Sequence, residues 1–424
     1  MRSSTGRRGR IIAVAAASAV SLIFLAGCTG SNSSPGGSSG DISGKITYSF
    51  WNRAQLPGIR QEVAEFERLH PKVSVTLDLT PFGTYFTKLQ TQGQSGNLPD
   101  VFWMNNDNLE LYASNGLLAE SPTSIDYTKF TKAVVDSYQY KGKQYGVPSF
   151  QSALGVWYNK NILQKAGVET PKAGWTWSDF QNAAKTVHDK LGSQGIYGEA
   201  TDLSDGAATY YPTIMQAGGY VVSPDGKKSG YDSAAGIAGL QFWRDLIANG
   251  SSPSLAQLSD TADIDWFTSG KAAFFWGISS YADTMNSSDI ASDINVAPLP
   301  VGKVAANPVG ALANEISAKS KNPAAAKSFV EFLATQKAQG LLSSYTWPAL
   351  SGAAQQQWQD KYPFDMQVFI DAQKIARQPY PNLPNTAEWQ QAEQSLMPDL
   401  LNGTSSVESV ARKISSQVNA ILEK

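Results

Sequence analysis

The chain has 424 residues, with 34 basic and 36 acidic side chains, a formal net charge of −2 and only 17% charged residues. No cluster of Lys and Arg offers the electrostatic footprint of a nucleic-acid binder. A single cysteine rules out a disulfide within the chain, and two histidines, His70 and His188, leave little material for a zinc site or a nucleophilic triad. No metal or cofactor is expected. Aromatics are the abundant resource, with eleven Trp and seventeen Tyr.

The first ten residues carry Arg2, Arg7, Arg8 and Arg10 and no acid, residues 11–24 form an apolar run, and Leu25-Ala26-Gly27 lead into Cys28. This is the three-part layout of a secretory signal, and the apolar run falls short of the ~20 residues that span a bilayer. A cleavage site followed by cysteine resembles the lipobox of bacterial lipoproteins. The resemblance implies that residues 1–27 are a lipoprotein signal peptide and that Cys28 becomes a lipidated N-terminus. The mature chain would then hold 30 basic against 36 acidic residues over 397 positions. That length exceeds what one hydrophobic core usually supports, so two lobes are expected. Residues 28–44, almost wholly Ser, Gly, Asn and Pro after the cysteine, cannot bury enough apolar surface to offset their ordering entropy. They read as a flexible tether with a reach of roughly 20–25 Å.

Beyond the tether, strand-like and helix-like segments alternate. Residues 46–50 are rich in β-formers; Ile59, Val63, Phe66 and Leu69 recur at helical spacing until His70-Pro71. Val73, Val75, Leu77 and Leu79 alternate as a second strand, 85–91 reads as a helix, 101–103 as a buried strand and 109–115 as a helix ended by Gly116. Residues 153–158 form a strand, Ser178 with Gln181 suggests a capping box for a helix to Lys190, and 234–249 is a long helix closed by Gly250. Residues 272–276 are a strand, and Asn322-Pro323 starts a helix through Leu333. Ser405 with Glu408 caps a final helix whose stripe is Val407, Val410, Ile414, Val418 and Ile421. Such alternation predicts α/β lobes with mostly parallel sheets.

Several phrases occur together in order: Phe50-Trp51-Asn52, Leu98-Pro99-Asp100-Val101-Phe102-Trp103, Leu111-Tyr112-Ala113-Ser114-Asn115-Gly116-Leu117-Leu118 and Gly146-Val147-Pro148. Val156-Trp157-Tyr158-Asn159-Lys160, Gly174-Trp175-Thr176-Trp177, Ala217-Gly218-Gly219, Ser320-Lys321-Asn322-Pro323 and Pro381-Asn382-Leu383-Pro384 follow. Over residues 46–424 this set resembles the maltodextrin-binding branch of the extracellular solute-binding proteins that feed ABC importers. The resemblance implies a two-lobe α/β periplasmic-binding-protein fold, type II-like, with three crossings between lobes and a ligand in the cleft. On its pattern, lobe 1 holds 45–150 and 310–345, and lobe 2 holds 151–309 and 346–424.

A neutral oligosaccharide presents hydroxyls that need donors and acceptors, and pyranose faces that stack on aromatic rings. Trp51 and Asn52 end the first strand, where α/β sheets present ligands, with lobe packing as the other reading of Trp51. Thr84 and Tyr85 open a helix. Asn105, Asn106 and Asp107 follow Trp103; the family uses an acid here, and this chain is one residue longer, so the set stays open. Gln151 stands at the first crossing where maltodextrin binders place a Glu. By the resemblance, Tyr210 or Tyr211 is an aromatic platform, and Trp276 beside Gly277 stacks a sugar ring. Asn314 and Glu315 past the second crossing, Tyr345 and Trp347 near the third, and the forked donors of Arg377 complete the set. Trp157, Trp177 and Trp389 read as core.

The function implied is a non-enzymatic, lipid-anchored receptor on the extracellular face. It would deliver a neutral di- or oligosaccharide to ABC permease subunits and act as a monomer. The alternatives are a surface-anchored glycoside hydrolase, for which no carboxylate pair can be singled out, and a wall-polysaccharide-binding lipoprotein.

Overall fold

The computed structural model describes residues 42–204 and 206–424; the expected signal segment, Cys28 and most of the expected tether lie outside them. The first strand, β1 (Gly44–Phe50), starts at the last residue expected in the tether. Gly44 N–H donates to the Lys72 carbonyl at 3.0 Å, and Ile42 already packs on the first core.

The first sheet has the order β2-β1-β3-β12-β6, built from β1, β2 (Val73–Leu79), β3 (Val101–Asn105), β6 (Val147–Ser152) and β12 (Gly310–Ile316). β1 runs parallel to β2 in register from Gly44↔Val73 to Phe50↔Leu79, and parallel to β3. β12 is antiparallel to both β3 and β6. A small hairpin, β4 (Gln139–Tyr140) with β5 (Lys143–Gln144), stands apart. The second sheet has the order β10-β7-β9-β8, from β7 (Leu154–Asn159), β8 (Tyr197–Glu199), β9 (Ala272–Ile278) and β10 (Ile294–Ala297). Here only β8 and β9 pair in parallel. The sheets are therefore mixed rather than mostly parallel. Strands that return from the other lobe, such as β12, enter the sheet from the opposite direction.

One core draws on residues 46–147 and 309–342, while two others draw on 153–299 and 347–421. Among the described residues the chain passes between them near 152–154, 305–310 and 344–350. These passages are laced together. β11 (Asn307–Pro308) pairs with β13 (Ala376–Arg377). The Asn307 side chain accepts from Leu154 N–H at 3.0 Å and donates to its carbonyl at 2.9 Å. Gln151 N–H donates to the Trp347 carbonyl at 3.1 Å.

Some local signals fall one or two residues away from their expected place. The helix Trp177–Leu191 is capped by a box of Thr176 and Asp179, not Ser178 and Gln181, because Thr176 is the last extended residue before the helix. Ser406, not Ser405, caps Val407–Leu422, whose expected stripe is buried throughout. Phe82–Ser95 begins three residues before the expected start at Tyr85. The helix Tyr210–Gln216, with all seven residues buried, was not anticipated.

Candidate functional site

β1, β2 and β3 end on one edge of the first sheet, and antiparallel β12 starts and β6 ends on that same edge. Ala153 alone separates β6 from β7, so this edge adjoins the edge of the second sheet where β7 begins and β9 ends. Hydrogen bonds join the lobes near it. Tyr380 Oη donates to Asp107 Oδ1 at 2.8 Å, and Asn382 Nδ2 donates to the Ser137 carbonyl at 2.9 Å. Gln390 Nε2 in turn donates to Tyr380 Oη at 3.1 Å. Tyr380 is buried against Trp389 and Tyr211, with ring centroids 5.0 and 5.8 Å away. Burial, and then the Asp107 carboxylate, hold its hydroxyl well above the usual tyrosine range, so it remains a proton donor.

The edge gathers Trp51, Asn52, Thr84, Asn105 and Asp107. The half-buried Trp51 ring touches Tyr85, Trp103, Phe82 and Phe86 at 4.9, 5.2, 5.4 and 5.7 Å between centroids. Asn52 Oδ1 accepts from Ala54 N–H at 2.9 Å and so caps the short turn Arg53–Gln55. Thr84 is exposed and donates to the Pro81 carbonyl at 3.2 Å. Asn105, half-buried at the end of β3, accepts from Asn108 at 2.8 Å.

Other expected site residues are placed differently. Trp276 is 1% exposed, with its ring among Trp243, Phe242 and Phe180 at 5.0, 5.8 and 5.9 Å; it packs lobe 2 and offers no free stacking face. Gly277 has no room for a side chain, since a Cβ would stand 2.5 Å from the Phe275 ring. Tyr210 and Tyr211 are buried and donate to Glu393 Oε1 at 3.0 and 2.5 Å, and Tyr231 donates to the same carboxylate. They are interior hydrogen-bond donors rather than platforms. Tyr85 is likewise buried, its hydroxyl lying 3.1 and 3.0 Å from the carbonyls of Ser49 and Trp103.

Gln151 is a brace at the crossing. Its Oε1 accepts from Thr131 at 3.1 Å and its Nε2 donates to the Pro348 carbonyl at 3.4 Å. Asn314 lies in the first core, accepting from Tyr48 Oη at 2.7 Å while Trp103 Nε1 donates to that hydroxyl at 2.7 Å. Glu315 is wholly buried beside Gly146, and burial pushes its carboxyl well above the usual range. Trp347 is buried and stacks on Trp358 at 4.9 Å and 8°. The half-buried Tyr345 fits against Gly58 of the helix Leu56–Leu69. Arg377 is exposed and donates to the Ala305 carbonyl at 3.1 Å. Phe82, Tyr380 and Gln390 were missed; only the position of Phe82 after β2 could have marked it in the sequence.

A site of this composition has aromatic surface, amides, hydroxyls and one carboxylate, which suits a neutral polyhydroxyl ligand better than an anion. A family model for bacterial extracellular solute-binding proteins matches residues 51–340. The chain belongs to this family. Among its relatives is a maltooligosaccharide ABC transporter solute-binding lipoprotein of Streptococcus pneumoniae, 28% identical over 371 residues, which cover 83% of each chain. A galactooligosaccharide-binding protein of Bacillus subtilis is 26% identical over 337 residues, 75% of each chain. An ABC substrate-binding protein from Listeria monocytogenes, solved in complex with cycloalternan, superposes with a TM-score of 0.81 at 25% identity, covering 89% of this chain and 99% of that one. The family and these relatives are binding proteins.

Proposed function

We propose that this family member is the substrate-binding lipoprotein of an ABC sugar importer. It captures a neutral di- or oligosaccharide by lobe closure and passes it unaltered to the permease. The observation that carries this reading is the edge where the two lobes adjoin, with ring surface and uncharged donors on one side and a hydrogen bond that already crosses it. Each neutral hydrogen bond nets only about 0.5–1.5 kcal/mol. Micromolar capture, about −8 kcal/mol, therefore requires hydroxyls to be met by several groups at once, as closure allows. The relatives that bind maltooligosaccharides and galactooligosaccharides support the ligand class. The Cys28 sequence context, together with a relative named as a lipoprotein, supports anchoring on the outer face of the cell membrane.

The test is calorimetry and thermal shift against neutral mono-, di- and oligosaccharides, with the sugar recovered and checked by chromatography. The expected result is a raised melting temperature through mass action and intact ligand, with Cys28→Ser releasing the protein from the membrane fraction. Sustained sugar hydrolysis by the pure protein, or no response to any saccharide, would overturn the reading.

A further inference from the structure

Away from the cleft, lobe 2 holds a hollow of about 500 Å³, within the ~300–1,000 Å³ of ordinary small-molecule sites. β10 is the outer strand of its sheet, and its free edge forms one wall. The helix Gln367–Gln373 contributes the other. The hollow starts at Tyr158 and Asn295, near the last residue of β7 and the first of β10. This is the end of the sheet opposite the edge where β7 begins and the lobes adjoin. From there it runs along β10 to Asn307 of β11.

Its chemistry is uneven. Val296, Leu299, Val368, Ala372 and Ile375 supply apolar walls, and Ile375 is left 38% exposed. Such surface gains by leaving water. Polar groups gather at the Tyr158 end. Asn295 Oδ1 accepts from Val296 N–H and from Asp365 N–H, each at 2.9 Å, and so fixes Asp365 beside β10. Burial holds the Tyr158 hydroxyl above the usual tyrosine range, and the nearby Asp365 carboxylate adds to the shift. Asp371, a second acid on the lining, is engaged by Lys374 at 2.7 Å and by Gln367 Nε2 at 3.0 Å. Asp365 forms no salt bridge among the described residues, and no Lys or Arg lines the hollow. A carboxylate at one end of an apolar trough is complementary to a cation that carries its own apolar body.

We propose that this hollow is a second ligand site that takes a small amphiphilic organic cation, its ammonium on Asp365 and its apolar body against Val296 and Ile375. A hydrogen bond between an ammonium and a carboxylate is roughly twice as strong as a neutral one, so charge sets the preference among ligands of one size. The experiment measures, by calorimetry at fixed ionic strength, the binding of phenethylamine, 2-phenylethanol and phenylacetate, which differ only in the head group. Wild type, Asp365→Asn and Ile375→Ser are compared, with melting temperatures as the check on folding. The expected result is one bound phenethylamine, held about tenfold or more tighter than the alcohol, with phenylacetate weaker still. Asp365→Asn should bring the amine down to the affinity of the alcohol and leave the alcohol unchanged. Ile375→Ser should weaken both about threefold. Equal affinities for amine and alcohol in wild type, an amine preference that survives Asp365→Asn, or no binding of the amine would overturn the site. No sugar enters the measurement, so its failure leaves the receptor reading standing.

Discussion

Glu199, the last residue of β8, is fully buried, and burial pushes its carboxyl up to about 7. Because the folded value lies above the ordinary 4.5, folding favours the protonated acid. This contribution to stability is present below about pH 4.5 and is lost as pH rises through 7. At one pKa unit per 1.36 kcal/mol, the loss approaches about 3 kcal/mol. Buried Glu62 and Glu315 are raised by the same cause and act in the same direction. Glu199→Gln, neutral at every pH, should narrow the stability difference between pH 5 and pH 8, read from urea midpoints. An unchanged difference would show that burial does not raise the carboxyl above its unfolded value. The same inner region explains which side chains could be read from sequence. β9 is covered on both faces, so its apolar run carries no alternation to say that Trp276 faces a core. Trp51, by contrast, follows the last residue of β1, and a strand end facing a ligand edge can be inferred from chain order alone.

The unanticipated helix Tyr210–Gln216 shows what limits reading at the scale of elements. Two tyrosines and Pro212 suggest a loop, and the helix is too short to display an apolar stripe. Its stability comes from packing on Ala234–Ala248, where Gly239 allows the backbones to meet. A Cβ at Gly239 would lie 2.5 Å from the Ile214 amide nitrogen, and Thr213 Oγ1 donates to the Gly239 carbonyl at 2.9 Å. Gly239→Ala should therefore force the helices apart and cost about 1–3 kcal/mol, despite the better intrinsic helix propensity of alanine. A melting temperature at or above wild type would refute this close approach. Longer elements were legible because their patterns repeat. The Val407–Leu422 stripe holds over four turns and is buried throughout. Strand direction was not legible, since β12 owes its antiparallel entry to a crossing far away in sequence.

For the whole molecule, the lobes meet through side chains that no local pattern joins. Asp107 and Tyr380 are 273 positions apart, so only their shared place at the cleft brings them into contact. The bond joins the lobes without help from a ligand hydroxyl, and it engages a carboxylate that the sequence marked for ligand. A hydrogen bond to a charged group contributes about 1.5–3 kcal/mol, and 1.4 kcal/mol is tenfold in an equilibrium. Loss of the bond should thus lower the ratio of closed to open forms by about tenfold or more. Tyr380→Phe removes the hydroxyl but keeps the ring against Trp389 and Tyr211. Its ligand-free radius of gyration in small-angle scattering should exceed that of wild type, while saturating ligand should bring the two together. Apparent affinity should fall by the fraction of closed form lost. If the ligand-free scattering curves coincide, the Asn382 bond and hinge packing hold the lobes without Tyr380. Were the ligand-free variant larger but its affinity unchanged, closure and capture would be separate events.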